Sequence, residues 1–200
     1  MASGTELSVY VASKVIAAQK QASADKLSEA IQTLRTIKAS KSYDKAYVAQ
    51  VLGSYYWQNN QLEYATQQVR YAVSSGQFKG KPAWSLKRML ADLLTNQGQY
   101  KEALGYYKQL TANIPLDESA DQLWLRIAQV NYLLTDWHAV LDAISQYERF
   151  QLPDAVVPLS IKFGAQHQLE RYKSAVVTVK RLLILEPNKK TGGCNWSVWN

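Results

Sequence analysis

The feature that most constrains this chain is a pattern that returns five times. Residues Ala30, Ala65, Ala103, Val140 and Ala175 stand 35, 38, 37 and 35 residues apart. Around each of them apolar residues fall on one helical face, as in Leu27, Ala30, Leu34 and Ile37, or Tyr100, Ala103, Tyr107 and Leu110. A second small residue lies twelve positions upstream in four copies, at Ala18, Gly53, Ala91 and Ala128. Small residues at such places let two helices cross closely. Between the helices, Ala24-Asp25, Asn59-Asn60, Asn96-Gln97-Gly98, Thr135-Asp136 and Glu170-Arg171 supply turn chemistry that suits a helix stop and the next N-cap. A period of about 36 residues with two helices per copy predicts stacked helical hairpins, none of which can bury its apolar face alone.

Composition narrows the field further. Nine Gly and five Pro in 200 residues leave little turn material for a β-sandwich, and 47% hydrophobic content excludes disorder for most of the chain. One cysteine, Cys194, and two histidines, His138 and His167, provide no disulfide scaffold and no structural zinc cage, so no cofactor or metal is expected. No run of about 18 uncharged apolar residues occurs, which excludes a membrane-spanning helix. The start, Met1-Ala2-Ser3-Gly4-Thr5, lacks a basic segment followed by an apolar one and reads as an expression leader, leaving open an exported protein stripped of its signal.

The net charge of +7 is spread along the chain. Arg35, Lys38, Lys41 and Lys45 form one loose basic run. Lys162, Arg171, Lys173, Lys180, Arg181, Lys189 and Lys190 make the C-terminal part the most basic. Asp44, Glu170 and Glu186 are interleaved, so both groups read as solvated helix faces and not as a nucleic-acid or membrane surface. No phosphate loop, His-Glu-x-x-His, Gly-x-Ser-x-Gly or paired-Cys motif is present, and neither histidine has a carboxylate spaced to orient it as a base. The expectation is that the protein is not an enzyme.

The pattern resembles the tetratricopeptide (TPR) repeat in degenerate form, best in the third copy with Leu90, Ala91, Leu94, Gly98, Tyr100, Ala103 and Pro115. The last copy departs most: Phe163-Gly164 is out of register by one, and Lys162 stands where an apolar residue is expected. The resemblance implies an all-α, right-handed α-α superhelix, a TPR-like solenoid of about five hairpins at 6–40, 43–77, 80–115, 118–152 and 154–187, within a repeat domain over 6–187. Longer loops around Gln77 to Pro82 and Leu116 to Ser119 account for the wider spacings, and aromatics such as Tyr56, Tyr107, Trp137, Tyr147 and Tyr172 are expected to fill gaps between units.

In such a stack the first helix of each hairpin lines the concave face, so binding residues are expected at its exposed positions. These are Tyr47, Gln50, Ser54 and Trp57; Arg88, Asp92 and Asn96; Gln122, Gln129 and Tyr132; and His167. Amides, aromatics and one Arg suit reading of an extended peptide. Arg88 and Arg126 are the only basic candidates there, too few for the clamp that grips chaperone C-termini.

The stretches Val51-Leu52-Gly53, Leu123-Trp124-Leu125-Arg126-Ile127-Ala128-Gln129, Val157-Pro158-Leu159-Ser160-Ile161-Lys162-Phe163-Gly164 and Leu182-Leu183-Ile184-Leu185-Glu186-Pro187 resemble the TPR proteins encoded beside TonB energy-transduction systems of Gram-negative bacteria. That resemblance implies a periplasmic accessory protein of TonB-dependent iron uptake, with TonB, ExbB and ExbD or an outer-membrane receptor as partner. The alternative is a general peptide-binding TPR scaffold in another envelope or cytosolic assembly, such as pilus or secretion biogenesis.

The last helical segment, Ala175 to Leu185, is apolar on more than one stripe and carries no polar cap. It is expected to be covered by Trp196 and Trp199 folding back or by self-association through the C-terminal hairpin. Residues 188–200 read as a truncated or non-native tail, in which Cys194 and the glycosylation triplet Asn195-Trp196-Ser197 are incidental.

Overall fold

The computed structural model describes residues 6–187. These form ten α-helices in chain order, with no strand among the described residues. They are α1 (Val9–Ser23), α2 (Leu27–Arg35), α3 (Ser42–Gln58), α4 (Leu62–Ser74), α5 (Gly80–Asn96), α6 (Tyr100–Thr111), α7 (Ala120–Leu133), α8 (Trp137–Glu148), α9 (Val156–Gln168) and α10 (Tyr172–Leu185). The chain divides into two compact units, the first running to Tyr106 and the second from Tyr107.

One hydrogen-bonded turn builds every hairpin. Asp25, Asn60, Gly98, Thr135 and Glu170 adopt left-handed backbone with φ between 55° and 74°, each five residues before its repeat anchor. The next residue donates its N–H to the carbonyl five positions back: Lys26 to Gln21, Gln61 to Tyr56, Gln99 to Leu94, Asp136 to Asn131 and Arg171 to Gln166, at 2.8–3.0 Å. This is the Schellman stop, which satisfies the last orphan carbonyls of the first helix. The anchor then donates the opening bond of the second helix, as Ala30 does to Lys26 and Ala175 to Arg171. The spacing of the anchors is thus the spacing of a turn.

The expected N-caps are mostly absent. Asp136 accepts the Ala139 N–H at 3.1 Å, but Lys26, Gln61 and Arg171 occupy the cap positions of α2, α4 and α10 without a side-chain bond. Asp25 and Asn60 are drawn instead into the left-handed stop one residue earlier, which polar side chains tolerate.

In the first unit α1 packs on α2, α2 on α3, α3 on α4 and α4 on α5, with α1 also touching α3. Val15, Leu34, Leu52, Val69, Leu90 and Leu94 fill its core. Each such side chain contributes about 1.5–3 kcal/mol by burial. The α3–α4 crossing is set by Gly53, where an added Cβ would come 2.4 Å from Val69 Cγ2 and 3.4 Å from the Ala65 carbonyl oxygen. Hairpin 1 is joined to hairpin 2 by Asp44, buried at the start of α3, whose carboxylate accepts the Ser8 backbone N–H at 3.1 Å.

In the second unit α7 packs on α8, α8 on α9 and α9 on α10, and the first helices α7 and α9 touch. Leu123, Ile127, Val140, Ile144, Ile161 and Leu182 make the core. The two departures in the last copy have physical reasons. Gly164 is flat where the Tyr132 ring from α7 lies, and a Cβ there would meet the Tyr132 hydroxyl at 2.7 Å, so the displaced glycine serves contact between hairpins. Lys162 is charged because its Nζ donates to both carboxylate oxygens of Glu148 on α8, at 2.7 and 2.9 Å.

Hairpins 1 and 5 share a cross-link at equivalent positions. Thr33 Oγ1 donates to Gln21 Oε1, and Thr178 Oγ1 to Gln166 Oε1, both at 2.8 Å. On α10, Val176 is 55% exposed, whereas Ile31 and Thr66, its equivalents on α2 and α4, are 6% exposed beneath the following helix. Val177, Leu183 and Ile184 are exposed too, and Tyr172, expected to fill a gap, stands out in solvent. Trp196, Trp199, Cys194 and the glycosylation triplet lie outside the described residues.

Candidate functional site

The expected binding residues divide between the units, and seven fall in the first. On α3, Tyr47, Gln50, Ser54 and Trp57 are spaced by three, four and three residues, which places them on one stripe of the helix. All four are half-buried. The complementary stripe of Ala46, Ala49, Leu52, Gly53 and Tyr56 is buried. The 17-residue helix therefore presents a continuous partly open face on the side of the first helices.

That face runs on to α5. Ser54 Oγ lies 3.9 Å from Met89 Sδ, which brings the α3 stripe beside the turn of α5 that carries Arg88, half-buried, and Asp92, also half-buried. Asn96 ends the same helix and is exposed. The Arg88 guanidinium sits 5.7 Å over the Trp84 ring, a cation–π contact that holds its planar fork in place. Trp84 was not among the expected site residues. Its signal is an aromatic one helical turn before an arginine, i to i+4 on α5.

Further rings frame the entrance to this face. Tyr43 stands 6.2 Å from Tyr47 and 5.9 Å from Phe78 in the connection before α5. Burial pushes the Tyr55 phenol above its ordinary pKa, and nearby Tyr47 adds to the shift, so this aromatic side of α3 is an environment that disfavours negative charge. Ser54 also donates back to the Gln50 carbonyl at 3.2 Å. The buried Gln50 Oε1 accepts no hydrogen bond within the described residues. An unsatisfied acceptor of this kind costs about 1–3 kcal/mol, which an arriving N–H donor would relieve.

The second unit corrects the expectation at two positions. Gln129 is buried, 8% exposed, and its Oε1 accepts a bond from the exposed Arg126 at 3.2 Å. Tyr132 is a packing residue: its ring lies on Gly164 and meets Trp137 edge-on at 5.1 Å. Gln122 is exposed and donates to Asp121 at 3.1 Å. Burial raises the Asp121 pKa, but hydrogen bonds from Ser119, Gln122 and backbone N–H groups outweigh it and hold the carboxyl below its usual range. His167 is exposed, with Phe163 at 6.0 Å and Tyr172 at 6.1 Å. These four do not form one surface in the way the α3 and α5 residues do.

Among the described residues no group of three His, Cys, Asp or Glu is placed to hold a metal ion, and no helix is long and apolar enough to cross a membrane.

Comparison with known proteins bears on the fold. No family model and no curated protein sequence matches the chain. Solved structures do. The structure of YrrB, described as a TPR protein with an unusual peptide-binding site, superposes with a TM-score of 0.72 at 16% identity, covering 88% of this chain and 86% of that one. MamA matches with a TM-score of 0.72 at 13% identity over 88% of this chain and 92% of its own. A kinesin light chain from Podosopora anserina with nearly identical TPR-like repeats matches at 0.66 and 13% identity, covering 93% and 97%. The fold is that of the all-α TPR solenoid.

Proposed function

We propose that the chain is a non-enzymatic protein-interaction scaffold that reads an extended peptide on the first-helix side of α3 and α5. The observation that carries this reading is the single half-buried stripe Tyr47, Gln50, Ser54 and Trp57 set beside Arg88 and Asp92, with the Gln50 acceptor unmatched. Aromatic faces stack on apolar side chains, amides pair with an extended backbone, and a stacked guanidinium gives one fixed polar contact. YrrB, with the same fold, carries a peptide-binding site of its own.

The finer reading is a periplasmic accessory of TonB-dependent iron uptake, whose partner is TonB, the ExbB and ExbD motor proteins or an outer-membrane receptor. It rests on the resemblance of the stretches at 51–53, 123–129, 157–164 and 182–187 to TPR proteins encoded beside TonB systems. The test is photo-cross-linking in cells with probes at Trp57 and Arg88, and a control probe at Lys173 on α10. Adducts with a TonB-system component from the first two positions alone, in a periplasmic fraction, are the expected result. Cytosolic retention, or adducts that do not depend on probe position, would overturn it.

A further inference from the structure

Away from the first-helix face, the first unit holds a cavity of about 460 Å³ between the exit of hairpin 1 and hairpin 2. Ile37 from that exit and Val48 and Ala49 from α3 make its apolar floor. Lys38, Lys45, Gln67, Gln68 and Tyr71 stand around it, and no Asp or Glu lines it. Its volume is within the range of pockets that hold ligands, about 300–1,000 Å³.

What distinguishes this place is that two lysines meet at one cavity whose lining holds no carboxylate. Three cations of the fold are paired across elements: Arg70 with Glu102, Lys162 with Glu148, and Arg181 with Asp154. The other described cavity, about 320 Å³ in the second unit, is lined by Lys162 and Arg181 already bonded to those carboxylates. Lys38 and Lys45 have no such partner among the described residues. The one acid within the run, Asp44, is turned inward and engaged by the Ser8 N–H, so it does not face the lysines' solvent side as a counter-ion. Arg35 and Lys41, exposed on the same connection, add to the positive potential.

We propose that this cavity is a second binding site, distinct from the first-helix face, for an acidic segment of a protein partner. Carboxylates of the segment pair with Lys38 and Lys45, an apolar residue between them enters over Ile37, Val48 and Ala49, and the Gln67 and Gln68 amides bond its extended backbone. A peptide suits the site better than a nucleic acid, because only two cations line it while the floor is apolar and the remaining rim is amide and phenol.

The test is fluorescence polarisation on the full chain with a labelled decapeptide rich in Asp and Glu around a central Leu. Its controls are the same peptide with Asn and Gln, a single-stranded oligonucleotide and anionic phosphatidylserine vesicles. Binding of the acidic peptide alone is expected at about 50 mM salt, weakening as salt rises. The double variant K38E/K45E should lose about tenfold or more in affinity, since it removes two charge-assisted contacts and adds repulsion. K173E/K180E, which makes the same change in net charge on exposed residues of α10, should lose less than about twofold. Equal loss in both variants, no binding of the acidic peptide, or preference for the oligonucleotide or vesicles would overturn the proposal. The cross-links from probes at Trp57 and Arg88 should persist in the K38E/K45E variant, which separates failure of this site from failure of the first-helix reading on which it does not depend.

Discussion

Thr135 is the place where the hairpin turn is made from the least suitable residue. Its φ is +57°, and it alone among the five turn residues is β-branched. Left-handed backbone costs an L-residue roughly 1–2 kcal/mol. Glycine avoids that cost but loses about 0.5–1 kcal/mol of unfolded-state freedom. The side chain is exposed, so nothing packed is lost on removal, and the bonds of the turn, Thr135 N–H to Tyr132 O and Asp136 N–H to Asn131 O, both 3.0 Å, are backbone only. Thr135→Gly should therefore stabilise by about 0.5–1 kcal/mol. With a urea slope of about 2 kcal/mol per molar, the unfolding midpoint rises by about 0.3–0.5 M at unchanged slope. The reverse change at the equivalent position, Gly98→Thr with φ +74°, should lower it by a similar amount. Equilibrium unfolding followed by circular dichroism measures both. A lower midpoint for Thr135→Gly, or no change for Gly98→Thr, would refute the argument that the turn conformation sets the energy at these positions.

Gly53→Ala forces Val69 Cγ2 away from a new Cβ inside a closed α3–α4 crossing, and a loss of about 1–3 kcal/mol is expected in the same unfolding assay. Thr178→Val leaves the buried Gln166 Oε1 without its donor and should cost about 1–3 kcal/mol, while adding Gln166→Leu should recover much of it; a double variant no better than the single would count against the bond. Stability should also depend on acid. Hydrogen bonds from Arg70 and Arg181 hold the Glu102 and Asp154 carboxyls below their usual pKa, so these pairs contribute above the ordinary carboxylate range near about 4 and are lost as pH falls through the depressed values. Both pairs are exposed, so the effect is small, and the variant R70Q/R181Q should show a flatter loss of midpoint between about pH 5 and pH 2 than the parent chain.

Much of the fold can be read from the sequence because each hairpin repeats one local solution. The anchor spacing follows from a turn that needs only backbone hydrogen bonds, and so it survives degenerate side chains: Asp, Asn, Gly, Thr and Glu all occupy the same left-handed position. What cannot be read in this way is anything that depends on a neighbour distant in sequence. Gly164 is displaced from its repeat position, and only the Tyr132 ring arriving from α7 explains it. Lys162 violates the apolar pattern because Glu148 comes from the preceding hairpin. Gln21 and Thr33 look like ordinary polar helix residues until their equivalents Gln166 and Thr178 are found bonded in the same way.

The sites follow the same division. Helical spacing suffices to place Tyr47, Gln50, Ser54 and Trp57 on one stripe, since that is a property of α3 alone. It fails at Gln129, which is buried, and at Tyr132, half-buried with its ring laid on Gly164 of the next hairpin. Charge is the subtler case. A linear count treats Asp44 as neutralising the Arg35 to Lys45 run, yet a carboxylate acts on its neighbours through space and solvent, not through sequence adjacency. Once Asp44 is buried against the Ser8 amide and the lysines remain at the rim of a cavity without carboxylates, an interleaved sequence yields a one-signed surface. The repeat fold makes such sorting natural, because one helix can turn an acid inward to fasten the preceding hairpin while bases on its other side face outward.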